Sequence, residues 1–273
     1  SIITCRRGEI ILMGILKHPV VKLLKEPDLQ SETVTEGKMG EAIEILEVHG
    51  NWLKIKTLWD NYPGFVPKES VLELDWEVKE PLITASLSSI VYQENKIQSP
   101  FLQVLPIGIK LRLLEDGERW LKVELPDRTP GYIQKGDIVD YQVFSFKSEP
   151  QLRNSLVKWA EKFENSVPYV WGGTSSFGAD CSGFVQHLFR LHNLPLERDA
   201  SQQGRGKYIQ NIKREEILPG DLLFFTNYGH VGLAISHFEF IHATTNKKPV
   251  VQVSQIDDPL WLSQTIQYSR YQF

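Results

Sequence analysis

Cys181 lies in a sequence setting suited to nucleophilic chemistry. It follows Asp180 and precedes Ser182 and Gly183, and apolar residues then recur at helical spacing. The thiol is therefore predicted at a helix N-terminus, where the macrodipole and free backbone N–H groups favour the thiolate. A buried structural cysteine is the alternative interpretation. The small residues after Cys181 argue against it, because they leave the sulfur approachable.

Two histidines downstream form a candidate base and its orienting group. A cysteine nucleophile needs both. His230 and His242 lie in two segments that predict a hairpin. A turn centred on residue 236 would set them opposite each other, with Cβ atoms about 4.5–5.5 Å apart. His230 would then take the thiol proton while His242 holds its ring. Metal binding by the two histidines is a competing interpretation, but no Asp or Glu ligand stands beside them, and we expect no metal or other cofactor.

The first half of the chain contains an internal repeat with an offset of about 68 residues. Short alternating apolar segments predict strands in both copies, and turn residues separate them. Two copies of a small β-barrel domain follow from this pattern. The aligned segments are 40–47 with 108–115, 52–55 with 120–123, and 62–68 with 129–135.

The composition describes an ordinary folded protein and argues against some partners. The 273 residues carry a formal net charge of −4, with 41% hydrophobic residues, which argues against disorder. This balance gives no electrostatic footprint for nucleic acid. The most apolar stretch, residues 10–16, is far below the ~18 residues that span a bilayer. We therefore expect neither a nucleic-acid partner nor a membrane span.

Five motifs carry a resemblance to a known family. They are Tyr-Val-Trp-Gly-Gly at 169–173, Asp-Cys-Ser-Gly-Phe at 180–184, Pro-Gly-Asp-Leu at 219–222, Gly-His-Val-Gly at 229–232 and Phe-Ile-His-Ala at 240–243. In this order they resemble the NlpC family of bacterial cell-wall cysteine peptidases. The resemblance implies a papain-like α+β fold, in which a helix bearing Cys packs on an antiparallel sheet bearing His. It also implies hydrolysis of the γ-D-glutamyl–diaminopimelate bond of peptidoglycan stem peptides.

The resemblance assigns roles to individual residues. Cys181 would be the nucleophile, His230 the base and His242 the third polar residue. Tyr169 would help the oxyanion or the substrate, because a phenol can donate where negative charge develops, and the backbone N–H of Cys181 is a second donor candidate. The implied substrate contacts are Asp180, Ser182, Arg198 and Asp199. Ala200 stands where many relatives have serine.

The whole layout resembles a subgroup in which two bacterial SH3-like domains precede the peptidase. The predicted boundaries are an N-terminal arm at 1–14, SH3-like domains at 15–76 and 77–141, and the peptidase at 142–273. In that subgroup a Glu and a Tyr of the first SH3-like domain hold the substrate's free amine. Glu41 and Tyr62 match them, whereas their counterparts in the second copy are Ile109 and Thr129. A one-sided substrate role predicts this asymmetry, and drift between duplicated domains is the alternative.

The leading hypothesis is a monomeric cysteine endopeptidase acting on L-Ala-γ-D-Glu-diaminopimelate peptides with a free N-terminus. The process would be recycling or remodelling of peptidoglycan. Two alternatives stay open: an amidase or acyltransferase on the same scaffold, and a non-catalytic wall-binding module. The sequence favours the cytoplasm, since no signal peptide is visible. An export signal removed from the N-terminus would place the protein in the cell envelope.

Overall fold

The computed structural model describes residues 2–6 and 9–272, with side chains from residue 12 onward. The chain divides into two compact units, Ser1–Val143 and Phe144–Phe273. Among the described residues, no helix is both long and apolar enough to cross a membrane.

The first copy of the repeat forms an all-antiparallel sheet. Neighbouring strands follow the order β1-β2-β5-β6-β7-β3-β4, and β8 pairs with β2. The strands are β1 Ile2–Arg6, β2 Glu9–Leu16, β3 Val20–Leu24, β4 Thr33–Lys38, β5 Ala42–His49, β6 Trp52–Thr57, β7 Pro63–Pro67 and β8 Val71–Leu72. In β6 the predicted alternation is present, because Leu53 and Ile55 are buried in the core while Lys54 is half-exposed. The segment predicted as an N-terminal arm contains β1 and most of β2, which pairs with β5.

The second copy repeats this architecture. Its strands follow the order β11-β10-β14-β13-β12-β9-β15. They are β9 Leu82–Thr84, β10 Ser89–Tyr92, β11 Phe101–Leu105, β12 Lys110–Asp116, β13 Trp120–Glu124, β14 Pro130–Gln134 and β15 Ile138–Asp140. A register shift lies between Ile45 and Glu47 in the first copy and between Leu113 and Glu115 in the second. The bulge therefore recurs at the offset of the sequence repeat, as expected for duplicated domains.

The second unit is an α+β domain with an antiparallel sheet. Its order is β18-β23-β19-β20-β21-β22, and β16 pairs with β17 separately. The strands are β16 Thr174–Ser175, β17 Gly178–Ala179, β18 Ile209–Ile212, β19 Leu222–Phe225, β20 Val231–Ala234, β21 Glu239–Thr244, β22 Val250–Gln255 and β23 Thr265–Tyr271. The helices are α1 Glu149–Glu161, α2 Cys181–Leu191, α3 Ala200–Arg205 and α4 Pro259–Leu262. The predicted class, two all-β domains followed by an α+β domain, is confirmed.

Helix α2 is the central helix of this unit. It packs against β20 and β21, and all nine of its residues from Cys181 to Phe189 are buried. Helix α1 follows Ser148, its N-cap residue, and Gln151 accepts from the backbone N–H of Lys147 at 2.9 Å. It ends at Glu161.

Candidate active site

The thiol of Cys181 stands at the first position of α2. Asp180 is the N-cap residue, and its Oδ1 accepts from the backbone N–H of Gly183 at 2.7 Å. This arrangement satisfies one of the backbone donors that a helix N-terminus leaves free. The predicted helix start is thus present, with the sulfur-bearing residue held by the cap beside it.

Glycines allow this helix end to approach the preceding loop closely. A Cβ atom on Gly183 would lie 2.1 Å from the carbonyl oxygen of Gly173. Gly172 has a φ of +77°, a conformation that residues with side chains rarely adopt. The glycine pair at 172–173 and Gly183 therefore allow direct backbone contact between the loop and the helix.

The carboxylate of Asp180 is held by an arginine inside the domain. Arg198 is 2% exposed, and its guanidinium donates to both carboxylate oxygens, at 3.0 and 2.6 Å. Arg198 also donates to the hydroxyl of Ser182 at 3.0 Å, and the backbone N–H of Gly172 donates to Asp180 at 2.9 Å. A bidentate buried pair of this kind fixes orientation as well as charge. Asp180, Ser182 and Arg198 thus form one network around the cysteine.

Burial dominates the ionisation of the thiol. Together with the smaller effect of the negative charge of Asp180, it raises the pKa of Cys181 to about 11. Backbone N–H groups of Val231 and Ser182 and the charge of Arg198 lower the pKa by less. Loss of solvent therefore outweighs the stabilisation of the thiolate that is expected at a helix N-terminus. The thiol keeps its proton until a base accepts it.

The two histidines form the predicted pair, but in a different register. Leu233 pairs with Ile241 and Ala234 with Phe240, so the turn is centred one residue later than predicted. Continuing that register sets His242 opposite Gly232 and leaves His230 two residues away on the same face. Diagonal neighbours remain within reach of aromatic side chains. Nε2 of His230 and Nδ1 of His242 are 2.7 Å apart.

Both imidazoles are held in an apolar environment. Burial lowers the pKa of His230 to about 4. It also lowers the pKa of His242 well below 6.5, with a further lowering from His230. The indole of Trp261 stacks on His230 at 5.7 Å and meets His242 edge-on at 4.7 Å. Nε2 of His242 lies 3.0 Å from the hydroxyl of Ser254. Trp261 and Ser254 were missed by the sequence analysis, since no local motif connects them to the histidines.

Val231 connects the histidine pair to the cysteine. Its backbone N–H hydrogen-bonds to the thiol sulfur of Cys181, and it directly follows His230 in the chain. Since Nε2 of His230 is used by His242, Nδ1 is the nitrogen left for the thiol. His230 is therefore the candidate acceptor of the thiol proton.

Tyr169 lies beside the same helix end. Its backbone pairs with Ala179, directly before the N-cap, and its N–H donates to the carbonyl of Pro249 at 2.9 Å. The pKa of its phenol is raised to about 12 by burial and by the negative charges of Cys181 and Asp180. The hydroxyl therefore remains a hydrogen-bond donor at neutral pH.

Each of the remaining predicted site residues makes a hydrogen bond within its own unit. Asp199 is the N-cap of α3, and its N–H donates to Gln202 at 3.3 Å. In the first unit, the buried carboxylate of Glu41 accepts from the N–H of Lys38 at 3.0 Å. The N–H of Tyr62 donates to the Thr57 hydroxyl at 3.0 Å. Their predicted roles toward substrate stay predictions.

The helix-borne thiol and sheet-borne histidine pair define a cysteine-peptidase arrangement on a papain-like fold. The NlpC/P60 family model matches residues 166–270, and the model for the bacterial dipeptidyl-peptidase Sh3 domain matches residues 23–71. A probable endopeptidase of Haemophilus influenzae is 40% identical over 119 residues, which are 41% of this chain and 71% of that relative. The chain belongs to the NlpC/P60 family of cysteine peptidases and carries bacterial SH3-like domains before the peptidase.

Two longer matches extend over both units. A gamma-D-glutamyl-L-lysine dipeptidyl-peptidase of Bacillus cereus is 23% identical over 253 residues, 87% of this chain and 74% of that relative. The crystal structure of an NlpC/P60 family protein from Bacillus cereus matches with a TM-score of 0.81 at 19% identity, covering 95% of this chain and 99% of that one. The structural match supports the fold.

Proposed function

We propose that this protein hydrolyses the γ-D-glutamyl–diaminopimelate bond of peptidoglycan stem peptides, with L-Ala-γ-D-Glu-diaminopimelate as substrate, for recycling or remodelling of peptidoglycan. The observation that carries the proposal is the proton-transfer arrangement of Cys181, His230 and His242. The 2.7 Å contact between the imidazoles supports the proposal, because it orients the ring of the candidate base. The relative named for gamma-D-glutamyl-L-lysine cleavage supports a γ-D-glutamyl bond to a diamino acid.

The reaction follows from the positions of these groups. Nδ1 of His230 accepts the thiol proton while the sulfur attacks the γ-carbonyl carbon, forming a C–S bond. The phenol of Tyr169 and the N–H of Cys181 donate to the oxygen that gains negative charge. The imidazolium gives its proton to the leaving amine as the C–N bond breaks. Water, deprotonated by His230, then hydrolyses the thioester and restores the thiol.

Asp180, Ser182, Arg198 and Asp199 belong to the proposal as predicted substrate contacts. Because Arg198 already binds both Asp180 and Ser182, one network would set the position of the diamino acid relative to the sulfur. A change in any of these side chains should therefore alter both KM and kcat.

Two matched tripeptides test the proposed reaction. L-Ala-γ-D-Glu-diaminopimelate and L-Ala-γ-D-Glu-L-Lys are incubated with the wild-type protein and with Cys181→Ala, and the products are followed by mass spectrometry. We expect release of L-Ala-D-Glu by the wild type alone, with the diaminopimelate peptide the faster substrate. Equal turnover by Cys181→Ala would refute the cysteine mechanism. Faster turnover of the lysine peptide would transfer the proposal to that substrate.

The proposed role of Glu41 and Tyr62 in binding the free substrate amine needs its own test. Glu41→Gln keeps an oxygen that can accept from Lys38 but removes the charge. We expect kcat/KM to fall at least tenfold for the free-amine tripeptide and to stay unchanged for its N-acetylated form. Glu44→Gln serves as the matched control, because Glu44 lies in β5 of the same domain, three residues after Glu41. An equal loss for both peptides would contradict amine recognition.

A further inference from the structure

Ser254 ends a chain of polar side chains that crosses three adjacent strands. The chain runs from His230, directly before β20, through His242 in β21 to Ser254 in β22. His242 pairs with Gln252 and Phe240 with Ser254, so Ser254 is a diagonal neighbour of His242. Each step keeps to one face of the sheet, because an offset of two residues preserves the side-chain direction. The contacts measure 2.7 Å and 3.0 Å.

The directions of these hydrogen bonds are coupled. His230 can accept the thiol proton only if Nδ1 carries a lone pair, so its own proton must lie on Nε2. That proton points at Nδ1 of His242, which must then be the acceptor. The proton of His242 consequently lies on Nε2 and points at the hydroxyl of Ser254. The opposite direction would place a proton on Nδ1 of His230 and remove the base.

Burial makes the last acceptor important. His242 is 0% exposed, and Phe240 and Trp261 pack against its ring at 4.5 and 4.7 Å. A buried N–H that loses its partner bears its full desolvation penalty. Without the hydroxyl, the active tautomer of His242 bears that cost, whereas the inactive tautomer keeps its N–H bonded to His230.

We infer that Ser254 is a positioning residue. Its hydroxyl accepts a hydrogen bond from the Nε2–H group of His242 and thereby keeps Nδ1 of His230 available as the base. The inference rests on the proposed function for its kinetic consequences. No proton has to move along the chain during the reaction. The same hydrogen-bond direction serves both neutral His230 and its imidazolium, whose charge is stabilised by the lone pair of His242.

The kinetic test compares Ser254→Ala with Ser254→Thr. The loss of a buried hydrogen-bond partner corresponds to roughly a 10- to 100-fold change in an equilibrium, so we expect Ser254→Ala to lower kcat on the tripeptide by about that factor. KM should change less than about twofold, because Ser254 acts through His242 and is not among the predicted substrate contacts. Ser254→Thr restores the hydroxyl and should recover most of the loss. Ser236→Ala is the matched control. The hydroxyl of Ser236 accepts hydrogen bonds from the backbone N–H groups of Phe238 and Glu239 in the turn.

Two readouts separate this role from a purely structural one. The acidic limb of the kcat/KM profile should move to lower pH in Ser254→Ala, because the imidazolium of His230 loses support. Imidazole ¹⁵N NMR of the wild type should show the proton of His242 on Nε2, and in Ser254→Ala on Nδ1. A wild-type proton on Nδ1, or unchanged kcat in Ser254→Ala, would overturn the inference. The NMR result stands even if neither tripeptide is cleaved, so it is independent of the proposed substrate.

Discussion

His230 and His242 are joined by a hydrogen bond although the register does not set them opposite each other. The residue across from His242 is Gly232, and a Cβ atom there would lie 2.5 Å from the ring of Phe240. Gly232 therefore provides space on the sheet that a side chain would fill. Nε2 of His230 lies 2.7 Å from Nδ1 of His242 across this diagonal.

Two substitutions of His242 should distinguish its role as a hydrogen-bond acceptor from its role in filling space. In His242→Asn, the amide oxygen can still accept from Nε2 of His230, whereas His242→Phe keeps an aromatic ring without an acceptor. We expect kcat to fall roughly 10- to 100-fold in the phenylalanine variant, which leaves the N–H of His230 without its acceptor, and less in the asparagine variant, with similar KM values. Steady-state kinetics on the tripeptide measures both. A phenylalanine variant as active as the asparagine variant would argue against the acceptor role.

The lowered pKa of His230 should make the peptidase less stable at acidic pH. The folded pKa is about 4 and the ordinary value is 6.5, so below pH 6.5 the unfolded chain binds a proton that the folded chain does not. The free energy of unfolding therefore decreases as pH falls, by roughly 3 kcal/mol between pH 6.5 and 4. Native-state hydrogen exchange in β20 and β21, corrected for intrinsic rates, reports this loss.

His230→Gln is the comparison for this experiment. The variant carries no titrating group at residue 230, so its stability should decrease less over the same pH range. The difference between the two proteins isolates His230 from other groups, including His242. Parallel pH profiles for wild type and variant would contradict burial of a neutral imidazole.

The pair of Asp180 and Arg198 should contribute far more to stability than an exposed ion pair. Arg198→Ala leaves a buried carboxylate without its guanidinium, which costs about 3–5 kcal/mol in comparable cases. Arg214→Ala is the matched control, because Arg214 pairs with Asp257, whose side chain is 57% exposed, and such pairs contribute about 0–1 kcal/mol. Adding Asp180→Asn to Arg198→Ala should recover part of the loss. Hydrogen exchange in α2 measures each step, and equal losses for the two arginines would disprove the difference.

The sequence analysis succeeded where the determinants are local. The helix start at Cys181, the strands around His230 and His242 and the duplicated domains all follow from residue spacing. The predicted register of the hairpin was wrong, because the turn between β20, which ends at Ala234, and β21, which begins at Glu239, is centred one residue later than expected. Ser254 and the burial of the thiol depend on tertiary packing that no local pattern encodes. Arg198 was predicted to bind substrate, and its contacts within the domain become visible only when α2 and the following loop are in place.

The close backbone contact at Gly183 should not tolerate a methyl group. In Gly183→Ala, Cβ would lie 2.1 Å from the carbonyl oxygen of Gly173, so either α2 or the glycine loop must shift. Overpacking of this kind costs about 1–3 kcal/mol, and the shift would also displace Cys181 relative to His230. Gly136→Ala is the control, because a Cβ there meets no atom within 4 Å. Unfolding measurements and tripeptide kinetics should show losses of stability and kcat for Gly183→Ala alone. Unchanged values for both variants would mean that the loop adapts without moving the thiol.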